Sequence, residues 1–258
     1  MRKRKVAVFV EGQTELVFLR DMVLKWYDYD AEMVAFDCIS LIGQTSKTVP
    51  FQYGNSDSEN YFLFVNVGND NSVLSKMLGR FKSMQSKGFN LILGLRDMYS
   101  RQYRELSGEP LIKWDLISKI RENADKQIAG VSDSGMMALH FAIMEVEAWL
   151  MGLNGFLSKI DNRLTVDFIK ENTGIDLCQD PETSYFHPAA DLARIYQSVG
   201  KSYDKHLSDI SAISEALVKN DYVVLAQSGR CESFRCFANA LLSVDLFVCM
   251  SSHRERVS

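Results

Sequence analysis

The sequence lacks any long apolar run. No stretch of its 258 residues approaches the ~18 consecutive apolar residues of a membrane-spanning helix. The apolar run after the basic residues Met1–Lys5 is interrupted by Glu11, and a signal peptide needs a longer one. We therefore expect a soluble, cytoplasmic protein without a membrane segment.

The sequence also lacks an excess of positive charge. Lys and Arg number 29 against 33 Asp and Glu, which gives a formal net charge of −4. Domains that coat nucleic acid through bulk charge carry a basic excess instead. An enzyme that reaches phosphates through metal ions, or that relies on a partner for grip, remains compatible with this charge.

Several catalytic signatures are missing. The chain has no Gly-x-x-x-x-Gly-Lys loop for ATP hydrolysis and no Gly-x-Ser-x-Gly elbow. Its five Cys and four His show no zinc spacing. We expect free buried thiols, a satisfied core histidine at His140, and a helix entry at His187, which precedes Pro188.

The sequence does contain alternating strand and helix patterns. Val6–Val10 is a continuous apolar run, typical of a strand buried on both faces, and helical spacing follows Gly12 up to about Tyr27. Further strands are predicted at 33–41, 61–67, 89–95 and 137–144, with helices at 73–87, 115–128 and 145–153. The stretch 43–60 is polar, and 54–58 is predicted to be an exposed loop tip. This alternation predicts an α/β fold with a mainly parallel sheet and helices on both faces.

The pattern changes near residue 155. Helices are predicted at 165–172, 189–199, 204–218 and 233–242, and a short strand at 222–226. We therefore expect two parts, a sheet-containing part at 1–155 and a mostly helical C-terminal part at 156–258 that packs on it.

Acidic residues follow three of the predicted strands. Glu11 comes directly after the first strand, with Glu15 one helical turn later; Asp97 follows another strand, and Glu145 and Glu147 follow a third. Sites in open parallel sheets form outside the carboxyl ends of the strands, so we expect these acids to converge. Gathered carboxylates repel one another unless a cation joins them, and Mg²⁺ or Mn²⁺ prefers such hard oxygen ligands.

Each acid alone also has an ordinary explanation. A carboxylate at a strand-to-helix turn caps a helix or faces water, and Glu15 in a first turn gains ~0.3–1 kcal/mol from the helix dipole. Glu11 differs because it precedes Gly12, which lets the backbone approach a ligand closely.

Two segments resemble a known family. Val8-Phe-Val-Glu-Gly-Gln-Thr-Glu15 resembles the first motif of the Toprim fold, shared by topoisomerases, primases and OLD-type nucleases. Glu145-Val-Glu-Ala-Trp-Leu150 resembles an acidic segment of small bacterial Toprim-like proteins. The resemblance covers about residues 5–155 and implies that Glu11 is a metal ligand or general base, with Asp97 in place of the family's Asp motif. Relatives of this kind are often found beside ATPases in phage-defence systems, which implies an ATPase partner.

The second motif departs from the family. Toprim proteins usually have Asp-x-Asp, whereas this chain reads Leu93-Gly-Leu-Arg-Asp-Met98, with Gly94 near the place of a first Asp. Either Asp97 completes the metal shell together with Glu145 and Glu147, or the site is degenerate.

Three functions are compatible with these residues. The first is an Mg²⁺- or Mn²⁺-dependent nuclease in antiviral defence, in which Glu11, Glu15 and Asp97 are catalytic and Arg96 holds the scissile phosphate. The second is a degenerate docking subunit for an ATPase or a nuclease. The third is a metal-dependent phosphatase or phosphotransferase on small substrates. The choice among DNA, RNA and tRNA, the number of ions and a possible homo-oligomer stay open.

Overall fold

The structure is a computed structural model that describes residues 3–42, 47–69, 72–131 and 134–242. Within these ranges one sheet has the strands β1 Arg4–Val10, β2 Val34–Ser40, β3 Lys47–Tyr53, β4 Asn60–Asn66, β5 Leu91–Asp97 and β6 Met137–Ala142. The strand order is β3-β2-β4-β1-β5-β6, and every neighbouring pair is parallel except β2 and β3. The predicted mainly parallel sheet is thus confirmed.

Helices surround the sheet. They are α1 Gln13–Trp26, α2 Val73–Ser86, α3 Arg101–Ser107, α4 Trp114–Ala129, α5 Val146–Gly152, α6 Leu157–Ile160, α7 Val166–Thr173, α8 Pro181–Ser184, α9 Pro188–Gln197, α10 Leu207–Ala216, α11 Lys219–Gln227 and α12 Glu232–Leu242. None of the described helices combines the length and apolar character needed to cross a bilayer.

Both faces of β1 are buried, as its continuous apolar run predicts. Val6 and Val8 belong to a core shared with α1, while Ala7 and Phe9 belong to a second core shared with α2 and α4. Successive side chains of a strand point to opposite faces, so the sheet is covered on both sides. This arrangement confirms the predicted α/β class.

Residues after 155 complete one of the two cores. Helices α10 and α11 pack on α1, α9 packs on α5, and α12 packs on β6. The fully buried Trp149 lies between these layers: its ring stacks on Phe237 at 5.7 Å, and its Nε1 donates to Glu182 at 3.0 Å. The C-terminal helices therefore hold the beginning of α5 in place; the division near residue 155 stays a prediction.

One strand was not anticipated, and one predicted element is wrong. The polar stretch 43–60 contains β3, which pairs antiparallel with β2 at the edge of the sheet, while 54–58 is a loop between β3 and β4, as expected. An edge strand tolerates the missing N–H of Pro50. The expected strand at 222–226 is part of α11, because Asp221 caps this helix by accepting from the Val218 N–H at 2.8 Å.

Two smaller expectations also need correction. Helix α3 was not predicted; it begins where the Ser100 hydroxyl accepts from the Tyr103 N–H at 3.2 Å. The cysteines are free, and Cys38 and Cys231 are buried as expected, but Cys178 is exposed. Cys249 lies outside the described residues.

Candidate functional site

The carboxyl ends of β1, β5 and β6 lie side by side and carry the predicted acids. The Glu11 carboxylate accepts a hydrogen bond from the Asp97 N–H at 2.7 Å. The Asp97 carboxylate in turn accepts from the Val146 N–H, at the start of α5, at 2.9 Å. The acids therefore tie three strand ends together.

Three acids come close enough to share a cation. Asp97, Glu145 and Glu147 each offer a carboxylate oxygen, and these oxygens lie within 4.8 Å of one another. Glu145 and Glu147 are 4% and 2% exposed. A compact set of hard oxygen donors fits Mg²⁺ or Mn²⁺.

Crowding of negative charge shows in the pKa values. Burial raises the pKa of Asp97 well above its ordinary value, and the charges of Glu11, Glu15 and Glu147 raise it further. Burial also raises the pKa of Glu15, with backbone hydrogen bonds opposing the shift and Glu147 adding to it. The structure thus brings Glu11, Asp97, Glu145 and Glu147 together, as expected, and Glu15 lies close enough to raise the pKa of Asp97.

A lysine from the C-terminal part enters the cluster. The Lys205 Nζ lies 3.1 Å from Glu145 Oε1 and 3.0 Å from Glu147 Oε2. Burial alone would lower the pKa of Lys205, but the charges of Glu147 and Glu145 outweigh it and raise this pKa. Lys205 has a φ of +58°, uncommon for a residue with a side chain, and its C=O accepts from the Thr14 hydroxyl at 3.4 Å. The segment between α9 and α10 thus holds the Lys205 ammonium group against the carboxylates of Glu145 and Glu147.

Other groups fix the remaining oxygens. Glu145 Oε2 accepts from the Ala189 N–H at 2.9 Å and lies 2.8 Å from His187 Nδ1. Burial opposes ionisation of Glu145, yet Lys205, Ala189 and His187 outweigh it and lower the pKa. The Tyr203 hydroxyl donates to Glu147 Oε1 at 2.8 Å. Hydrogen bonds therefore fix both carboxylates in place, and the lowered pKa of Glu145 favours its ionised form.

Arg96 does not join the acids. Its guanidinium lies over the Phe141 ring at 5.6 Å, and its Nε has no hydrogen-bond partner among the described residues. Because side chains alternate along β5, Arg96 is on the opposite face of the sheet from Asp97. The geometry does not support its expected contact with the scissile phosphate.

Gly94 lies on the face of β5 that points away from the acids. A Cβ at this position would lie 2.3 Å from Met77 Sδ and 2.6 Å from Leu139 Cδ1, in the core on the side away from Asp97. The residue two positions before Asp97 is Leu95, which is fully buried. An acid at Gly94 would therefore point away from the cluster.

Some features of the site were not predictable from sequence. His187 precedes the first residue of α9, as expected, but its contact with Glu145 was not anticipated. No motif marks Lys205 or Tyr203, which meet acids about sixty residues earlier in the chain. The His140 side chain is partly buried, and its buried Nε2 has no partner within the described residues, whereas a satisfied core histidine was expected.

Comparison of the chain with protein-family models, with curated proteins and with solved structures finds no match. The sheet and its acidic cluster therefore carry the functional argument by themselves.

Proposed function

We propose that this protein is an Mg²⁺- or Mn²⁺-dependent nuclease of the Toprim type, acting in the cytoplasm. The observation that supports it most is the convergence of Asp97, Glu145 and Glu147 at the carboxyl edge of a parallel sheet. This edge is where ligands bind in open α/β folds.

The donor set fits a divalent cation. Asp97, Glu145 and Glu147 would hold it, since their oxygens are close and already oriented. A bound Mg²⁺ or Mn²⁺ stabilises charge on a phosphate and lowers the pKa of water. Glu11 orients Asp97 through its backbone N–H, and Glu15 adds a second carboxyl group that can take up a proton.

The substrate and the partner follow from charge and resemblance. The net charge of −4 provides no bulk attraction to nucleic acid, so a partner protein would bind the nucleic acid. We propose an ATPase as this partner, in a bacterial antiphage system, because the resemblance implies it and the chain itself has no ATP-binding loop.

A cleavage assay tests the proposal. Wild-type protein, with and without its ATPase, is incubated with duplex DNA, single-stranded DNA or tRNA in Mn²⁺ or in EDTA. We expect Mn²⁺-dependent cleavage that falls by about 100-fold or more in Glu11→Ala and Glu147→Gln. Glu32→Ala, at an exposed acid outside the cluster, is the matched control and should cleave normally. Absence of cleavage of every substrate, with the partner present, contradicts the proposal.

A docking subunit is the second candidate. Two observations favour it: the Lys205 ammonium already forms ion pairs with both Glu145 and Glu147, and β5 supplies a single acid. In this case wild-type protein binds no Mn²⁺ in calorimetry, and Glu11→Ala retains its biological function. Measurable Mn²⁺ binding that Glu147→Gln abolishes favours the enzyme.

A further inference from the structure

Two exposed side chains mark the solvent-facing side of the acidic cluster. The side chains of His187 and Lys205 are 45% and 39% exposed. The side chains of Glu145 and Glu147, which they contact, are only 6% and 3% exposed. A phosphate that reaches these acids must therefore approach past His187 or Lys205. Lys205 is already paired with both glutamates, so the surface beside His187 is where a substrate meets further groups.

Tyr99 lies directly beside His187. Their ring centroids are 4.6 Å apart, and the Phe186 ring meets Tyr99 edge-on at 5.4 Å. The Tyr99 N–H donates to the C=O of Met144, the residue before Glu145, at 2.7 Å. Both the ring and the backbone of Tyr99 are therefore fixed next to the cluster.

Arg104 lies on the Tyr99 ring. Its guanidinium carbon is 5.3 Å from the ring centroid, a cation–π contact that favours this position. Arg104 is exposed and forms no ion pair with any residue that the structure describes. Arg101, on the same helix, instead pairs with Glu105 at 2.7 Å. Arg104 is therefore the α3 arginine that can offer its N–H groups to an anion.

The position of Arg104 suits a phosphate beside the scissile one. Arg104 contacts Tyr99, Tyr99 contacts His187, and His187 Nδ1 lies 2.8 Å from Glu145 Oε2. Two ring contacts thus separate the guanidinium from the acids, too many for both to hold one phosphate. A guanidinium fork binds a phosphate through two parallel N–H···O bonds, which fixes the position of a strand.

The recessed acids favour a flexible strand. The scissile phosphate must turn inward to reach Glu145 and Glu147, while a neighbouring phosphate stays at the surface on Arg104. A single strand can turn at each nucleotide. Duplex DNA is stiff, with a persistence length of about 150 bp, and bending it over a short site costs free energy.

We propose, on the basis of the nuclease function proposed above, that Arg104 binds a phosphate next to the scissile one and that the substrate is single-stranded nucleic acid. Tyr99 positions Arg104 through the ring contact. Because a phosphate contact carries no sequence information, this binding does not select particular bases.

Cleavage kinetics test the role of Arg104. Single-stranded DNA, single-stranded RNA and duplex DNA of one sequence are cleaved in Mn²⁺ at a range of concentrations. We expect Arg104→Met to raise KM for the single strand by about 10-fold with little change in kcat, since the contact is the same before and during the reaction. Arg101→Met, on the same helix, is the matched control and should leave KM unchanged. Duplex DNA should be cleaved at least about 10-fold less efficiently than the single strand.

The salt dependence distinguishes a phosphate contact from a structural role. Each phosphate contact to a single strand contributes about 0.7 to the slope of log affinity against log salt concentration. We therefore expect this slope, measured through KM, to fall by about 0.7 in Arg104→Met. Arg104→Lys keeps the charge and should restore the slope, while the loss of the fork leaves KM above that of wild type.

The outcomes separate this inference from the nuclease proposal. Cleavage by wild type with unchanged KM and salt slope in Arg104→Met overturns the role of Arg104 and leaves the nuclease standing. An equal rise of KM in Arg101→Met and Arg104→Met also overturns that role. Preferred cleavage of the duplex overturns the single-strand assignment. Absence of cleavage of every substrate by wild type, with Mn²⁺ in excess, overturns both proposals.

Discussion

Replacing Lys205 with Met removes the ammonium group that lies 3.0 Å from Glu147 Oε2 and 3.1 Å from Glu145 Oε1. Breaking a fully buried ion pair costs ~3–5 kcal/mol. The Lys205 side chain is 39% exposed, however, so solvent screens part of the interaction. We expect a loss of about 2 kcal/mol in the free energy of unfolding. For a chain of this size the Tm should then fall by roughly 4–8 °C in EDTA.

The response to Mn²⁺ is the informative measurement. A ligand that binds the folded state stabilises it by RT ln(1 + [L]/Kd), or about 2.7 kcal/mol at a concentration of 100 Kd. In wild-type protein the ion competes with the Lys205 ammonium for the same carboxylates. Removal of this competitor should tighten Mn²⁺ binding, so a given MnCl₂ concentration should raise the Tm of Lys205→Met by more than that of wild type.

Lys219→Met is the matched control for Lys205→Met. Lys219 forms an exposed ion pair with Asp28 at 2.7 Å, worth less than about 1 kcal/mol, and should not change the response to Mn²⁺. Equal Mn²⁺ shifts in wild type and Lys205→Met would refute the competition, and no shift in either would refute the metal site. The fall in Tm in EDTA tests the ion pair separately.

Further predictions concern packing and pH. Gly94→Ala should lower the free energy of unfolding by about 1–3 kcal/mol, because its Cβ would lie 2.3 Å from Met77 Sδ. Gly79→Ala, in α2 with nothing within 4 Å of its Cβ, should raise it by about 1 kcal/mol; urea titration measures both, and equal effects would contradict the packing argument. Burial raises the pKa of Glu182 from 4.5 to about 7. This group therefore favours the folded state at low pH, and its contribution is lost as the pH rises through 7. As the pH rises from 4 to 8, the free energy of unfolding of Glu182→Gln should increase by up to about 3 kcal/mol relative to that of wild type. A difference between the two proteins that stays constant over this range would contradict the assignment.

Elements with strong local signals were predictable from the sequence. The apolar run of β1 identified a strand buried on both faces, and α7, Val166–Thr173, closely matches the helix predicted at 165–172. Parallel strands place their carboxyl ends at one edge of the sheet. The sequence alone therefore predicted that three strand-end acids lie close together: Glu11, Asp97 and Glu145.

The features that sequence missed depend on tertiary packing. β3 lies at the edge of the sheet, where it pairs with β2. Because an edge strand accepts Pro50 and polar residues, its sequence lacks the continuous apolar run of a central strand. The run at Tyr222–Leu225 resembles a strand, but helical spacing buries Tyr222 and Leu225 together against other helices. Lys205 reaches Glu145 across a separation of 60 residues, and no local pattern encodes that contact.

The acids of the cluster and their partners are synthesised at different times. Glu147 is the last of the five acids in the chain, while His187, Tyr203 and Lys205 follow it. At about 5–20 residues per second, ~3–12 s of translation separate Glu147 from Lys205. A nascent chain therefore carries the crowded carboxylates before it has the lysine that pairs with Glu145 and Glu147. A chain interrupted in this interval keeps the acids without their counter-charge.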